Sequence, residues 1–185
     1  METKNKGLIF TPDRSRGIEV YVDADFAGSW DKADALDSSN VLSRTGFVIM
    51  FCGAPVLWCS KLQTEIALST AEAEYIALSM AMRAVIPLLQ MFQELKGVFG
   101  IDSLVPVVKC RVFEDNESAI AMSKNKKFTP RTKHIALKYH HFRKFVRDGT
   151  INILSVDTRE QLAFILTKPV ELNQYIYLHK KLTGW

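Results

Sequence analysis

Cysteine is scarce in this 185-residue chain: Cys52, Cys59 and Cys110 are the only three. An odd number, with spacings unlike those of zinc ligands, argues against a disulfide scaffold or a structural zinc centre. It fits a reducing, intracellular compartment. Long apolar runs are missing as well. The most apolar stretch, Phe47 to Cys59, is broken by Gly53 and Pro55. It falls short of the roughly 20 residues a membrane helix needs, so no membrane is expected as a partner. The opening residues Met1-Glu2-Thr3-Lys4-Asn5-Lys6 hold no apolar segment, and no secretory signal is expected. Neither an internal repeat nor a low-complexity linker is present. What remains is an ordinary globular balance, 48% hydrophobic and 24% charged. A chain of this size buries roughly 70% of its unfolded surface and needs no staples to fold.

Acidic residues are absent from Ser118 to Arg147. That segment carries nine of the 24 basic residues: Lys124, Lys126, Lys127, Arg131, Lys133, Lys138, Arg143, Lys144 and Arg147. All 20 acidic residues lie outside it, so the net charge of +4 hides a polarised molecule. The functional reading is a polyanionic partner such as a nucleic acid; the plainer one is a solvated helix face.

The pattern along the chain predicts a strand over Glu19–Ala27, a loop over 29–45, and a hairpin of Gly46–Phe51 and Val56–Lys61 around a Cys52–Pro55 turn. Apolar residues then recur at helical spacing from Leu68 to Leu95, with Pro87 expected to kink or divide the helix and Gly97 to stop it. A strand follows over Val105–Glu114 and a short helix over Asn116–Asn125. A basic helix is expected over Thr132–Asp148, a strand over Ile151–Val156, a helix over Arg159–Lys168 and a helical tail over Glu171–Leu182. This order gives an α/β fold, a mixed sheet with helices on its faces.

The chemistry lies in the acids. Asp23 and Asp25 share one face of the first strand. Asp115 follows an apolar strand and precedes a helix. At the start of the long helix, Ser69 and Glu72 fit a capping box, which gives Glu72 a structural task. Glu74 has none, and is free to face the sheet. Asp23, Glu74 and Asp115 converging would make a hard-oxygen site suited to Mg²⁺; as scattered caps and surface charges they would do nothing. A pair of such ions would serve phosphodiester cleavage.

These residues carry a resemblance. Tyr21-Val22-Asp23-Ala24-Asp25-Phe26-Ala27-Gly28, Ser43-Arg44-Thr45-Gly46-Phe47, Gly53-Ala54-Pro55 and Trp58-Cys59-Ser60-Lys61 come first. They are followed by Ala67-Leu68-Ser69-Thr70-Ala71-Glu72-Ala73-Glu74-Tyr75, Asp115-Asn116-Glu117-Ser118-Ala119-Ile120 and Arg131-Thr132-Lys133-His134-Ile135. Gln161-Leu162-Ala163 and Leu166-Thr167-Lys168-Pro169 complete the series. In this order the motifs closely resemble the ribonuclease H domain of Ty1/copia retrotransposon polyproteins, from about residue 7 to Trp185. The resemblance implies a ribonuclease H-like fold: a five-stranded mixed sheet, three strands antiparallel and the rest parallel, flanked by helices. It implies a lead-in over 1–18 from a reverse transcriptase connection, the domain proper over 19–168 and a tail over 169–185. It also implies endonucleolytic hydrolysis of RNA in RNA–DNA hybrids by two Mg²⁺ ions, with Mn²⁺ as substitute. A neighbouring reverse transcriptase domain would be a partner, in a cytoplasmic particle or the nucleus.

The family holds its ions with Asp, Glu, Asp and Asp. The first three match Asp23, Glu74 and Asp115, with Glu72 as runner-up for the second. The fourth position is Phe164, which ligates nothing, and impaired activity is expected. Phe164 should border the cleft, because Leu162, Ile165 and Leu166 define the buried helix face. Asp157 is the nearest substitute acid. Ala136 stands where the family often has Asp, and Leu154 where some members have a helper histidine. Lys124, Lys126, Lys127, Arg131, Lys133, His134, Lys138, Arg143 and Lys144 would grip phosphates. His134 and His141 share a helix face, Trp58 is expected in the core, and Trp30 is a possible stacking residue. The competing expectation is a catalytically dead nucleic-acid-binding module, or a structural relic of the polyprotein.

Overall fold

A computed structural model describes residues 7–30, 38–99, 110–125, 135 and 137–185. Five strands form one sheet: β1 (Ile18–Asp25), β2 (Arg44–Phe51), β3 (Ala54–Leu62), β4 (Cys110–Glu114) and β5 (Ile151–Ser155), in the order β3-β2-β1-β4-β5. β1, β2 and β3 are antiparallel neighbours; β4 runs parallel to β1, and β5 parallel to β4. The expected mixed sheet is therefore present. The β2–β3 connection is tighter than the sequence pattern implied. Phe51 pairs with Ala54, and Cys52 and Gly53 both take positive φ, 50° and 87°. That is a two-residue turn whose twist matches the strands, so Ala54 and Pro55 join β3. Pro55 is tolerated because β3 is an edge strand.

The principal helix α1 (Thr70–Phe99) runs on through both Pro87 and Gly97. Met82, Val85, Ile86 and Leu89 are buried on either side of Pro87, so packing holds the helix to the sheet where local preference would part it. Gly97 is exposed and meets nothing; it weakens a helix without stopping it. By length and composition α1 is apolar enough to cross a membrane, a property absent from the Phe47–Cys59 stretch, but 56% of that window is buried inside the fold.

α2 (Glu117–Lys124) is capped by Asn116, which accepts from the Ala119 amide. Two expected helices are not formed as such. Within Thr132–Asp148 the described part holds a 3₁₀ turn, Leu137–His140, and a five-residue α3 (Arg143–Arg147). Between them Phe142 inserts beneath Tyr75, and the His140 ring bonds the Tyr75 hydroxyl at 2.7 Å; contacts to α1 override continuity. Arg159–Lys168 becomes two 3₁₀ turns, Thr158–Glu160 and Leu162–Leu166. They are separated by Gln161 at φ −71°, ψ 103°, an extended residue no helix accommodates. The tail forms α4 (Leu172–Thr183) as expected. Of the Val105–Glu114 strand only the β4 part lies within the described residues.

α1, α2 and α3 pack with one face of the sheet around a large core that includes Val20, Val22, Leu78, Met82, Val112 and Phe142. On the opposite face the Leu162–Leu166 turn and α4 bury a small cluster, Val48, Met50, Leu162 and Leu178. Covered on both sides, β1 is apolar or buried along almost its whole length.

Candidate metal centre and its surroundings

The β1–β4 ladder closes at Tyr21 and Phe113, whose rings stack at 4.7 Å. Two residues further along each strand, on the same face, stand Asp23 and Asp115. The strands no longer pair there. The buried Gln161 side-chain amide instead donates to the carbonyls of Val22 (2.8 Å) and Phe113 (3.2 Å). Glu74 arrives from the first turns of α1. Buried Gln63 fixes that end of α1, donating to Thr45 Oγ1 on β2 (3.0 Å) and to the Ala73 carbonyl (2.9 Å). One carboxylate oxygen each from Asp23, Glu74 and Asp115 lies within 4.8 Å of the others. They line an open cavity of ≈ 380 Å³ together with Asp25, Asn116 and Lys168. Three acids distant in sequence thus meet as expected.

Glu72 does not join them. The Glu72 amide donates to the Ser69 hydroxyl oxygen, and the Glu72 carboxylate accepts from the Leu68 amide at 2.9 Å. The capping role holds, with the glutamate reaching one residue beyond the cap.

Electrostatically the cluster is under strain from its own charge. Burial pushes the Asp23 carboxyl up to about 6, against the stabilising Thr167 hydroxyl and Lys168 ammonium. Burial, then the negative charges of Asp23 and Asp115, pushes Glu74 up to about 9. Glu74 Oε2 is buried and lacks a hydrogen-bond partner. Glu114, which sequence reasoning passed over, adds to this. It is fully buried with Oε2 unpartnered, and burial followed by the nearby Glu74 charge holds it well above the usual carboxylate range. Its one signal in the sequence was a lone acid at an inward strand position. Unpartnered hard oxygens, crowded and reluctant to ionise together, are what a divalent cation satisfies. The residues present fit such an ion.

The region about the fourth position departs from expectation. Phe164 does not line the cavity; half-buried, it packs with the Val48, Met50, Leu162 and Leu178 cluster. In a 3₁₀ turn the angular step differs from that of an α-helix, which turns the ring toward this second core. Thr167 and Lys168 line up behind it. The Thr167 hydroxyl donates to Asp23 Oδ2, and Lys168 Nζ lies 3.7 Å from the same oxygen. Gly46, paired with Asp23 across β1–β2, makes room for this. A Cβ there would come within 2.6 Å of Thr167 Cγ2 and 3.1 Å of the Ala163 carbonyl oxygen. Asp157 caps the Thr158–Glu160 turn, accepting from the Arg159 amide at 2.8 Å, and is not in the cavity lining.

Of the basic residues, Lys124 and Lys144 are exposed. Lys138 is exposed but ion-paired with Glu65. Arg143 is buried, so it does not belong to a phosphate-gripping surface. Lys126, Lys127, Arg131, Lys133, His134 and Ala136 lie outside the described residues. The His141 ring, 3.5 Å from Ser79 Oγ, has its pKa lowered by burial. Trp58 is exposed, contrary to expectation, because β3 is an edge strand whose middle is uncovered. Trp30 is exposed too.

No family model matches the chain. Among solved structures, it is similar to a ribonuclease H1 isolated from compost (20% identity, 82% of this chain and 93% of that one, TM-score 0.51). It is also similar to the N-terminal ribonuclease H domain of a Mycobacterium tuberculosis protein (12% identity, 89% and 96%, TM-score 0.52). The fold is ribonuclease H-like. In sequence, the chain is 41% identical over 167 residues to the retrovirus-related Pol polyprotein of transposon TNT 1-94 of Nicotiana tabacum. It is 32% identical over 169 residues to that of transposon RE2 of Arabidopsis thaliana. The matches take in 90% and 91% of the chain but only 11% and 10% of the polyproteins. The chain belongs with the ribonuclease H-like domains of Ty1/copia retrotransposon polyproteins, and spans about a tenth of the length of these relatives.

Proposed function

We propose that this domain binds RNA–DNA hybrids and hydrolyses their RNA strand at an impaired rate, with Asp23, Glu74 and Asp115 as the ligands for divalent metal. The convergence of three carboxylates, one with an unpartnered buried oxygen, carries this reading. Bound Mg²⁺ would supply the positive charge that eases attack of water on a phosphodiester. Asp23, nearly enclosed and anchored by Thr167, fixes the centre of the site. Glu74 and Asp115 flank it from α1 and the end of β4. Cleavage would leave a 5′-phosphate and a 3′-hydroxyl. Four acids hold two ions in the family; here the fourth is a phenyl ring, so turnover falls.

Grip on the hybrid falls to the acid-free segment 118–147, with Lys124, Lys138 and Lys144 among its exposed members. Contacts of this kind position a duplex without reading its sequence; selection of a hybrid rests on shape and 2′-hydroxyls. Within a longer polyprotein, residues 1–18 would lead in from a reverse transcriptase, inside a cytoplasmic particle or the nucleus.

The test is hydrolysis of an end-labelled hybrid in Mg²⁺ or Mn²⁺. Native protein should cleave slowly, Asp23→Asn not at all, and Phe164→Asp about tenfold or more faster than native, the scale on which metal-supporting groups act. Native activity unchanged by Asp23→Asn would end the assignment of this site. The Lys168 ammonium beside Asp23 favours a second reading, a binding module without turnover, which retains salt-sensitive hybrid binding while no variant cleaves.

A further inference from the structure

Lys168 needs an explanation of its own. Its ammonium lies 4.3 Å from the Phe164 ring centroid, over the ring, and 3.7 Å from Asp23 Oδ2. It also lines the cavity the carboxylates share. Lys168 is four residues beyond Phe164, at the exit of the 3₁₀ turn, with its amide returning to the Phe164 carbonyl at 3.5 Å. Pro169 follows and restricts the backbone at that point. An ammonium is a mobile point charge on a long stem; an aromatic face beneath it gives that charge a preferred place. Where a carboxylate at 164 would ligate a cation, the ring seats one supplied by the chain.

The geometry points to Phe164 and Lys168 acting together as a built-in counter-ion: the ring seats the ammonium against Asp23, so that the carboxylate cluster accepts a single divalent cation and accepts it weakly. Charge balance argues the same way. Asp23, Glu74 and Asp115 offer at most three negative charges, and Lys168 cancels one. Even with Asp25, the further acid in the cavity lining, the net charge is at most −3, short of what two divalent cations carry. Lys168 is thus a positioning residue for cation number and affinity. This inference rests on the proposed metal centre, and asks what sets its capacity.

The experiment is a Mn²⁺ titration of the full chain, with free Mn²⁺ read by electron paramagnetic resonance and folding checked by circular dichroism. Native protein should bind one ion. Lys168→Met, which keeps the stem and removes the charge, should bind about tenfold more tightly, as expected for removing a like charge a few ångströms from the ion. Phe164→Leu, which keeps an apolar group under the turn but removes the aromatic face, should tighten binding about threefold. The double variant should match Lys168→Met, because without the ammonium the ring has nothing to seat. Two ions on the native chain, unchanged or weaker binding in Lys168→Met, or a Phe164→Leu effect that survives in the Lys168→Met background, would each overturn the inference. Binding abolished by Asp23→Asn but indifferent to Lys168→Met leaves the metal centre standing and removes only the counter-ion role. No binding by any folded variant removes both.

Discussion

On one face of the sheet, α1 and the elements beside it bury Val20, Val22, Leu78, Met82, Val112 and Ile153 in one continuous core. On the other, Val48, Met50, Leu162 and Leu178 are the fully enclosed apolar residues, and a 3₁₀ turn with α4 is their cover. Both faces contribute to the acidic cluster. Glu74 comes from the thick side, on a 30-residue helix. Asp23 projects toward the thin side, where Thr167 and Lys168 touch it. The difference teaches a division of labour. The thick face sets whether the chain folds; the thin face sets how Asp23 is presented and what charge faces it.

The largest effect should therefore come from the thick face. Leu78→Ala empties a fully buried site and should cost about 2–5 kcal/mol, lowering the melting temperature by roughly 10 °C. Leu178→Ala, equally enclosed but at the edge of a four-residue cluster, should cost about half as much, since a thin cover collapses more readily into the space. It should also weaken Mn²⁺ binding, which Leu78→Ala leaves intact in the protein that remains folded. Equal losses in calorimetry, with equal effects on the ion, would erase the distinction between faces.

Next comes the seam where the faces meet. Gln161→Leu removes the donor that serves the Val22 and Phe113 carbonyls and should cost about 1–3 kcal/mol, because two buried acceptors lose their partner. Thermal melts at fixed pH check this. A neutral outcome would mean the strands re-pair beyond Tyr21 and Phe113.

How much of this was legible in the sequence follows from the same seam. The strands announced themselves through β-favouring residues, and Glu74 stood apart from Glu72 because a capping box accounts for only one of them. That Asp23, Glu74 and Asp115 meet was only hinted at by acids placed where apolar elements begin or end; the resemblance singled these three out. The described part of 132–148 and the segment 159–168 depart from the expected helices because helical spacing of apolar residues is also what an irregular chain shows when each residue anchors separately. Gln161 breaks one of them to serve another element's carbonyls, 139 residues away in the case of Val22, and no local pattern encodes that. Phe164 was placed by a helical angle that a 3₁₀ turn does not obey. Glu114 went unnoticed because its neighbour Asp115 carried the motif. Lys168 carries no task that the sequence makes legible, since its partners Asp23 and Phe164 stand on different elements.

A smaller effect separates the acids by pH. The pKa of Asp23 is raised from 3.8 to about 6 and that of Glu74 from 4.5 to about 9. In both, the folded state holds a proton that the unfolded chain releases. Their contribution to stability is complete below the unfolded values and fades as pH rises through about 6 and then about 9. In EDTA the protein should melt a few degrees lower at pH 8 than at pH 5.5. His140 and His141, whose pKa values burial lowers, pull the other way at the acid end. The diagnostic is accordingly the variant: Glu74→Gln should flatten the decline and raise the melting temperature at pH 8. Added Mg²⁺ should do the same for the native chain and nothing for Glu74→Gln. A pH profile indifferent to that substitution would mean the charge is relieved elsewhere, with Glu114 the nearest candidate.

The smallest effect lies outside the core altogether. Lys144 is exposed on α3, beyond the thick face, in the acid-free segment 118–147 and one turn before Asp148. If the thick side carries the grip on nucleic acid while the thin side tunes the ion, Lys144→Ala should weaken hybrid binding a few-fold. It should reduce the slope of log affinity against log salt by about one, the signature of one lost phosphate contact. Mn²⁺ affinity should not move, because Lys144 is exposed and does not line the cavity of the carboxylates, and charges in water are screened by salt. A change in ion affinity with no change in salt slope would invert the assignment and place the duplex against the thin face instead.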